Sequence, residues 1–476
     1  MISKTLFIGV AVIALAYIYN ICFQQSAGSV ETAIIQAWED QLKKPVKTFS
    51  KIVIGLNSNV DLIVNGRELL EALEAKSNGV YNDHETLTSI QDIQETFANY
   101  FRKGAAVERP FVDGKVYQHI VEKAGKLDDH QWYIGGNAAL MAETVASSFP
   151  LTKVQLIGPV GQRLHKLLNP SITVPKVSLT ESDEVHLIME YQIGEKWGND
   201  TATVANRFIT SYDEANGKMT MLDTFFKSIQ EDNPDLVVLS GLHMMEGQKE
   251  EVWKSRVDYL AKNLQGLPRD LPVHLELASM ANGKFIKYLA ETLLRHVTSL
   301  GLNEQEITFV LEVTGSPVRN ILDENERPRI DKVGDSVHFL LEQFGHSKSR
   351  KSSRLTRVHL HSLQFHVAGV IGDSWRNIES AVGAGTRMAS LRACDLKSLT
   401  ADKLNLKLPR NFSLHEQDTV RQLNSSQPIM SWSKGDKHFV FSPVLVCKKP
   451  LKTVGLGDAI SATGLFYSEF NPLYYS

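Results

Sequence analysis

The sequence predicts an α/β fold: a mostly parallel central sheet flanked by helices, with a smaller β-rich domain attached as a lid. Three observations carry that prediction. Short apolar runs of strand length alternate with helical patterns along the chain, and strands joined through helices form parallel sheets covered on both faces. The stretch from Val185 to Thr210 instead alternates apolar with polar residues, as strands with one wetted face do. The composition, 43% hydrophobic and 22% charged over 476 residues, is that of a folded chain that can bury a large core.

The elements follow in order. Thr5 to Phe23 is almost uninterrupted apolar sequence behind Lys4, with small residues from Ser26 to Ser29. Such a segment is read as a signal peptide or membrane anchor over residues 1–25, directing the chain to the secretory pathway, into the endoplasmic reticulum lumen or membrane or out of the cell. Ala33 to Leu42 reads as a short amphipathic helix opening a folded body over 34–476. Lys51 to Asn57 then reads as a buried first strand, and Thr86 to Tyr100 as a helix. Further strand-length runs are Val154–Ile157, Leu236–Leu239, Val273–Leu277, Ile307–Leu311, Val358–Leu360 and Val444–Val446. Helical patterns at Lys249–Leu264, Gly283–Leu294 and Asp335–Phe344 separate several of them. The lid is expected to be discontinuous, over about 62–130 and 170–215. The basic run from His346 to Arg357 reads as a solvated loop.

Charge and cysteine content narrow the function. A net charge of −3 gives no reason to expect nucleic acid as a partner. With three cysteines, neither a disulfide scaffold nor a cysteine-rich zinc site can be built. Cys394 and Cys447 could pair in an oxidising lumen; in a reducing compartment they would be small core residues. Three sequons, at Asn199, Asn411 and Asn424, permit glycosylation.

The sharpest chemical segment lies near the C-terminus. A strand candidate from Pro443 to Cys447 precedes Thr453-Val-Gly455-Leu-Gly457-Asp458 and a helix of small residues. Glycines let backbone N–H groups crowd around an anion, and a helix N-terminus adds partial positive charge, so this turn suits a phosphate. Asp458 falls in the first helical turn. There it either caps the helix or takes a proton from an attacking hydroxyl or binds magnesium.

Other stations supply oxygen ligands. His274 and Glu276 share one face of a strand, and Asn303 and Glu306 stand three apart at a helix start. Glu276 and Glu306 could serve magnesium, although an acid at the second spacing is also an ordinary cap. Asn57-Ser-Asn59-Val-Asp61 follows the first strand, where α/β sheets place ligands, and its amides and carboxylate match a sugar's hydroxyls. Equally, such residues form turns. Gly135-Gly136-Asn137 opens a second small-residue helix suited to close approach. His243 reads as a core or loop histidine. His359, His361 and His366 invite a metal, but no third soft ligand stands at metal-site spacing.

Taken in order, these phrases resemble the eukaryotic ADP-dependent glucokinases. That family belongs to the ribokinase-like sugar kinases, with the archaeal ADP-dependent glucokinases and phosphofructokinases. The resemblance runs from about Lys51 to Glu469 and rests on Gly135-Gly-Asn-Ala-Ala-Leu, the segment Pro234 to Gly247, His274-Leu-Glu-Leu-Ala-Ser, Gly301-Leu-Asn-Glu-Gln-Glu and Thr453-Val-Gly-Leu-Gly-Asp-Ala-Ile-Ser. It implies a ribokinase-like large domain and phosphoryl transfer from ADP to the 6-hydroxyl of glucose, giving AMP and glucose 6-phosphate. Asp458 would be the general base and a metal-side acid, with Gly455 to Gly457 as the anion hole. Glu276 and Glu306 would organise magnesium through water. Asn303, His361, Ser362 and Gly457 would contact ADP, with Ser362 standing where the family usually has threonine. Asn59, Asp61, Glu108, Gly136, Asn137 and His186 would hold glucose. A monomer is the expectation. A kinase of the same fold using ATP or fructose 6-phosphate is the alternative, and a catalytically silent sugar or nucleotide sensor the alternative of another class.

Overall fold

The computed structural model describes residues 30–451 and 454–475. Residues 1–29, on which the leader expectation falls, lie outside them. Among the described residues no helix is long and apolar enough to cross a membrane. The chain divides into two compact units, Phe49–Leu293 and a second made of the segment before Phe49 together with Leu294 onward.

The N-terminal unit, Phe49–Leu293, holds five parallel strands in the order Val273–Glu276, Leu236–Leu239, Lys51–Gly55, Lys153–Ile157, Ile172–Thr173. Leu236–Leu239 is buried throughout and Lys51–Gly55 in all but its first residue, which is why they read as continuous apolar runs. A second, five-stranded sheet runs in the order Val107–Pro110, Asn206–Ser211, Val185–Tyr191, Asn59–Asn65, Gln131–Gly135. Its strands are of mixed direction. Alternation sorts its side chains. Leu62, Val64, Leu187, Met189, Tyr191 and Phe208 enter a core with Ile93, Phe97 and Phe101. Those last three lie on the helix Ile90–Lys103, begun by a Ser89–Asp92 capping box and stopped by Gly104 at φ 64°. Burial of each phenylalanine stabilises the packing by about 1.5–3 kcal/mol. The cap explains why the helix starts four residues later than the sequence pattern suggests: Ser89 must be extended to accept from the Asp92 amide.

The C-terminal unit, residues 30–48 with 294–475, carries strands in the order Met430–Lys434, Lys437–Pro443, Phe365–Ile371, Arg357–His361, Ser299–Leu302. All neighbours are antiparallel except the last pair, which is parallel. Helices Ile378–Ala393 and Leu456–Tyr467 cover one face and Ile330–Phe344 the other. A helix over residues 30–41 buries Ile34 and Trp38 against Cys394, Leu404, Leu445 and Cys447.

Three expectations are corrected. Ile307–Leu311 lies in the helix Glu304–Val313 rather than in a strand, because Asn303 and Glu306 close a capping box immediately before it. Val444–Val446 shifts to a strand Leu445–Cys447, which pairs with Leu404–Leu406 in a two-stranded sheet. The basic run is solvated only in part: Arg354 and Arg357 are buried, with the Arg357 guanidinium donating to Ser299 Oγ at 2.9 Å and lying 5.7 Å from the Trp375 ring centre.

Candidate active site

In the N-terminal unit the face of the second sheet opposite its core gathers polar groups. Asp61 stands opposite His186 on one neighbouring strand and Tyr133 on the other. Glu108 stands opposite Ile209. Asn59 Nδ2 donates to Asp61 Oδ1 at 2.8 Å, while Asn59 Oδ1 is buried without a hydrogen-bond partner. Glycines make the approach possible. A Cβ on Gly135 would collide with Asn59 Nδ2 and Asp61 Oδ1, and one on Gly136, at φ 83°, would lie 2.7 Å from Ser58 Cα. Gly136 also begins the helix Asn137–Ser148. Asn57 lashes that helix start down, accepting from the Ala138 amide at 3.2 Å and donating to Asn137 Oδ1 at 3.5 Å. The structure therefore brings Asn59, Asp61, Glu108, Gly136, Asn137 and His186 to one end of one sheet.

Electrostatics at this end are strongly perturbed. Burial pushes Asp61 up to about 6, against the pull of His186 and the Asn59 amide. Burial alone would depress His186, but Asp213, 3.0 Å from its Nε2, together with Glu108 and Asp61, holds the imidazole up at about 10. His243 is the opposite case: burial and the neighbouring His186 charge push it down to about 4, so it stays neutral. Asp213 and Arg207, which bear on this cluster, escaped the sequence reading. Arg207 was findable by strand alternation; Asp213 lies on a turn beyond the strand, where no period applies.

The parallel strands of this unit place Glu276 at the end of Val273–Glu276, buried, accepting from His274 Nε2 at 3.0 Å. Two residues of one strand face meet as period two requires.

In the C-terminal unit Gly455, at φ 64°, is the N-cap of the helix Leu456–Tyr467, and buried Asp458 is its third residue. Gly457 lies against His361, whose Cε1 would be 3.3 Å from an added Cβ. His361 ends the strand Arg357–His361 opposite His366. His359, His361 and His366 form a ring cluster with centroids 5.3–6.3 Å apart, and burial together with His361 holds His366 well below the usual histidine range. The Ser362 hydroxyl donates to Phe365 O at 2.8 Å and accepts from the Gln364 and Phe365 amides. It closes the hairpin turn, so the structure gives Ser362 a turn-forming task, while buried His361 lies against Gly457.

Asn303 and Glu306 are locked together: Asn303 Oδ1 accepts from the Gln305 and Glu306 amides, and the Glu306 carboxylate accepts from the Asn303 amide at 2.8 Å and from Nδ2 at 2.7 Å. The adjacent Glu304, unnoticed in the sequence, is pushed up by burial, with His361 pulling it back. Cys394 and Cys447 are joined in a disulfide, Cα atoms 5.5 Å apart, tying the end of the helix Ile378–Ala393 to the strand Leu445–Cys447. Among the described residues no three histidine, cysteine or acidic side chains converge as a metal cage.

Comparison with known proteins gives the family and the fold. The sequence pattern defining the ADP-specific phosphofructokinase/glucokinase conserved region matches residues 50–467. The chain is 42% identical to the ADP-dependent glucokinase of Bos taurus, over 94% of this chain and 90% of that one. It is 39% identical to a probable ADP-dependent glucokinase of Caenorhabditis elegans, over 95% and 92%. A crystal structure of a hypothetical ADP-dependent phosphofructokinase from Pyrococcus horikoshii superposes with a TM-score of 0.67 at 18% identity, covering 89% of this chain and 98% of that one. That last likeness concerns the fold, which is the ribokinase-like architecture expected.

Proposed function

The chain belongs to the ADP-specific phosphofructokinase/glucokinase family, and from that premise we propose that it phosphorylates glucose at the 6-hydroxyl with ADP, giving glucose 6-phosphate and AMP. The observation that carries the chemistry is buried Asp458 in the first turn of a helix whose start is shaped by Gly455 and Gly457. Unpaired N–H groups at a helix start favour an anion, and a carboxylate beside that anion is placed to accept a proton as charge develops. Asp458 would take the proton of the 6-hydroxyl, and the backbone from Gly455 to Gly457 would receive the moving phosphoryl group. Asn59, Asp61, Glu108, Gly136, Asn137 and His186 would hold the sugar, an ionised carboxylate accepting and the imidazolium donating. His361 and Asn303 would serve the nucleotide. We read the five-stranded sheet of the N-terminal unit as the lid, whose closure over sugar would exclude water from competing as acceptor.

Magnesium fits the donor set as an ion reached through water. Glu306, held by Asn303, and Glu276, paired with His274, would reach the ion through ordered waters, with Asp458 as a further oxygen ligand. When bound, the ion would neutralise phosphate charge. The Cys394–Cys447 bridge and the apolar start of the chain support delivery to the secretory pathway.

The test is direct. The purified chain is incubated with glucose, magnesium and either ADP or ATP, and AMP and glucose 6-phosphate are quantified. Product from ADP is expected. Product from ATP alone would overturn the donor assignment, and no product from either would return the chain to a binding role.

A further inference from the structure

We propose that Asp213 is a positioning residue of the sugar site, holding His186 as a fixed imidazolium that donates to a sugar hydroxyl; this rests on the glucose reading above. Ser211, the last residue of its strand, stands opposite His186. The chain then turns, and the Asp213 carboxylate lies 3.0 Å from His186 Nε2, both side chains largely buried. With Nε2 taken, Nδ1 is the nitrogen left to meet a hydroxyl.

The turn bearing Asp213 is itself pinned at two points. Asn216 Oδ1 accepts from the Ser58 amide at 3.2 Å, and its Nδ2 donates to Ser58 O at 3.0 Å. Glu184, just before the His186 strand, accepts from the Ala215 amide and from the Asn216 amide at 3.0 Å. The turn that carries Asp213 therefore joins His186 to Ser58, the residue between Asn57 and the strand bearing Asn59 and Asp61. A buried ion pair is poor value as a source of stability, because desolvation offsets most of its attraction. Its placement against Asp61 and Glu108 gives it a purpose in orientation and charge.

The groups facing His186 are Asp61 on the adjacent strand, Glu108 on the sheet edge, and Asp213 with Glu184 at the turn. Around them stand Arg207, buried Tyr117 from the helix Gly114–Ala124, and neutral His243. Burial, followed by Asp213, pushes Glu184 up to about 7, while His186 and hydrogen bonds from Ser211 and Asn216 outweigh burial to keep Asp213 low. The imidazolium in turn helps Asp61 to stay ionised.

The experiment compares native protein with Asp213→Asn and Asp213→Glu, following the His186 Cε1–H resonance in unliganded protein and the glucose KM from about pH 6 to about pH 9. In the native chain the ring should remain charged throughout. In Asp213→Asn it should titrate within that range, and glucose KM should rise about tenfold or more toward the alkaline end, with kcat at saturating glucose changed by less than about threefold. Asp213→Glu should recover part of both. An unchanged ring titration in Asp213→Asn, or a kcat loss at constant KM, would overturn the proposal. Because the resonance is read without turnover, absence of glucose phosphorylation by the native protein would sink the kinase reading alone, while the titration still decides the role of Asp213.

Discussion

The two units build their functional ends from different materials. In the N-terminal unit the site is made of side-chain charge on one face of a sheet: Asp61, Glu108, His186 and Asp213, with one carboxylate pushed up to about 6 and one imidazole held at about 10. In the C-terminal unit it is made of backbone, a helix start with glycines laid against histidine rings and one buried acid. The difference matches the tasks. A sugar presents several neutral hydroxyls in fixed directions, which call for separate donors and acceptors. A phosphoryl group presents concentrated negative charge, which converging N–H groups can meet. It follows that the sugar end should respond to charge changes chiefly in KM, and the phosphoryl end chiefly in kcat.

Asp458→Asn is the most severe test of that division. It preserves shape and all backbone donors, yet kcat should fall on the order of 10²–10⁴-fold, with glucose KM nearly unchanged. Full activity in this variant would dismiss Asp458 as the base. Next in size, Cys394→Ser with Cys447→Ser should destabilise by up to about 4 kcal/mol, the loop-entropy limit for a bridge spanning a sequence separation of 53. Amide exchange should accelerate in Ile378–Ala393 and Leu445–Cys447 and stay unchanged in Asn59–Asn65 and Val185–Tyr191. Equal acceleration in both units would mean that they do not hold their stability separately.

Asp61→Asn sharpens the comparison from the sugar side. Loss of a charge-assisted acceptor should raise glucose KM about 10–100-fold. In the native chain the same KM should rise as pH falls through about 6, where Asp61 takes up its proton. Stability should move the other way. The folded carboxylate keeps its proton up to about 6 and a free one only to 3.8. Folded protein thus binds more protons between those values, and stability declines as pH climbs through them. At neutral pH the ionised group costs about 3 kcal/mol, so the neutral amide should stabilise by about 1–3 kcal/mol. A variant that lost both stability and glucose affinity would show Asp61 to be a structural residue.

The sequence disclosed most of what is local or periodic. Asn59 and Asp61 were legible because a polar cluster follows an apolar strand at its end, and His186 only through the family resemblance, since Leu187, Ile188 and Met189 interrupt the alternation of its strand. Gly455 and Asp458 were legible from the turn itself. What escaped depends on tertiary return. Asp213 reaches His186 only because the turn after Ser211 folds back and is tied by Asn216 to Ser58. Ile307–Leu311 was ambiguous, since short apolar runs suit strand and buried helix alike, although the Asn303–Glu306 box just upstream could have settled it. Arg354 and Arg357 read as solvated because composition cannot reveal that Ser299 and Trp375 wait inside. The Ser362 hydroxyl looked available until its hairpin closed around it.

The smallest expected effect tests whether the C-terminal unit really depends on close approach of helix to histidine. Gly464 sits inside the helix Leu456–Tyr467, where alanine alone would gain about 1 kcal/mol of helix propensity. A Cβ there would fall 2.8 Å from His359 Cε1 and 3.1 Å from its Nδ1. That ring is fully buried in the sheet, so it cannot swing away, and the helix must lift instead. Overpacking of this kind costs about 1–3 kcal/mol, which leaves Gly464→Ala net destabilising by about 1 kcal/mol. Gly247→Ala, where the added atom meets nothing within 4 Å, is the control. A Gly464→Ala protein as stable as that control in chemical denaturation would mean that the glycines over the histidines are incidental. The backbone-built character of the phosphoryl end would then reduce to the turn at Gly455 and Gly457.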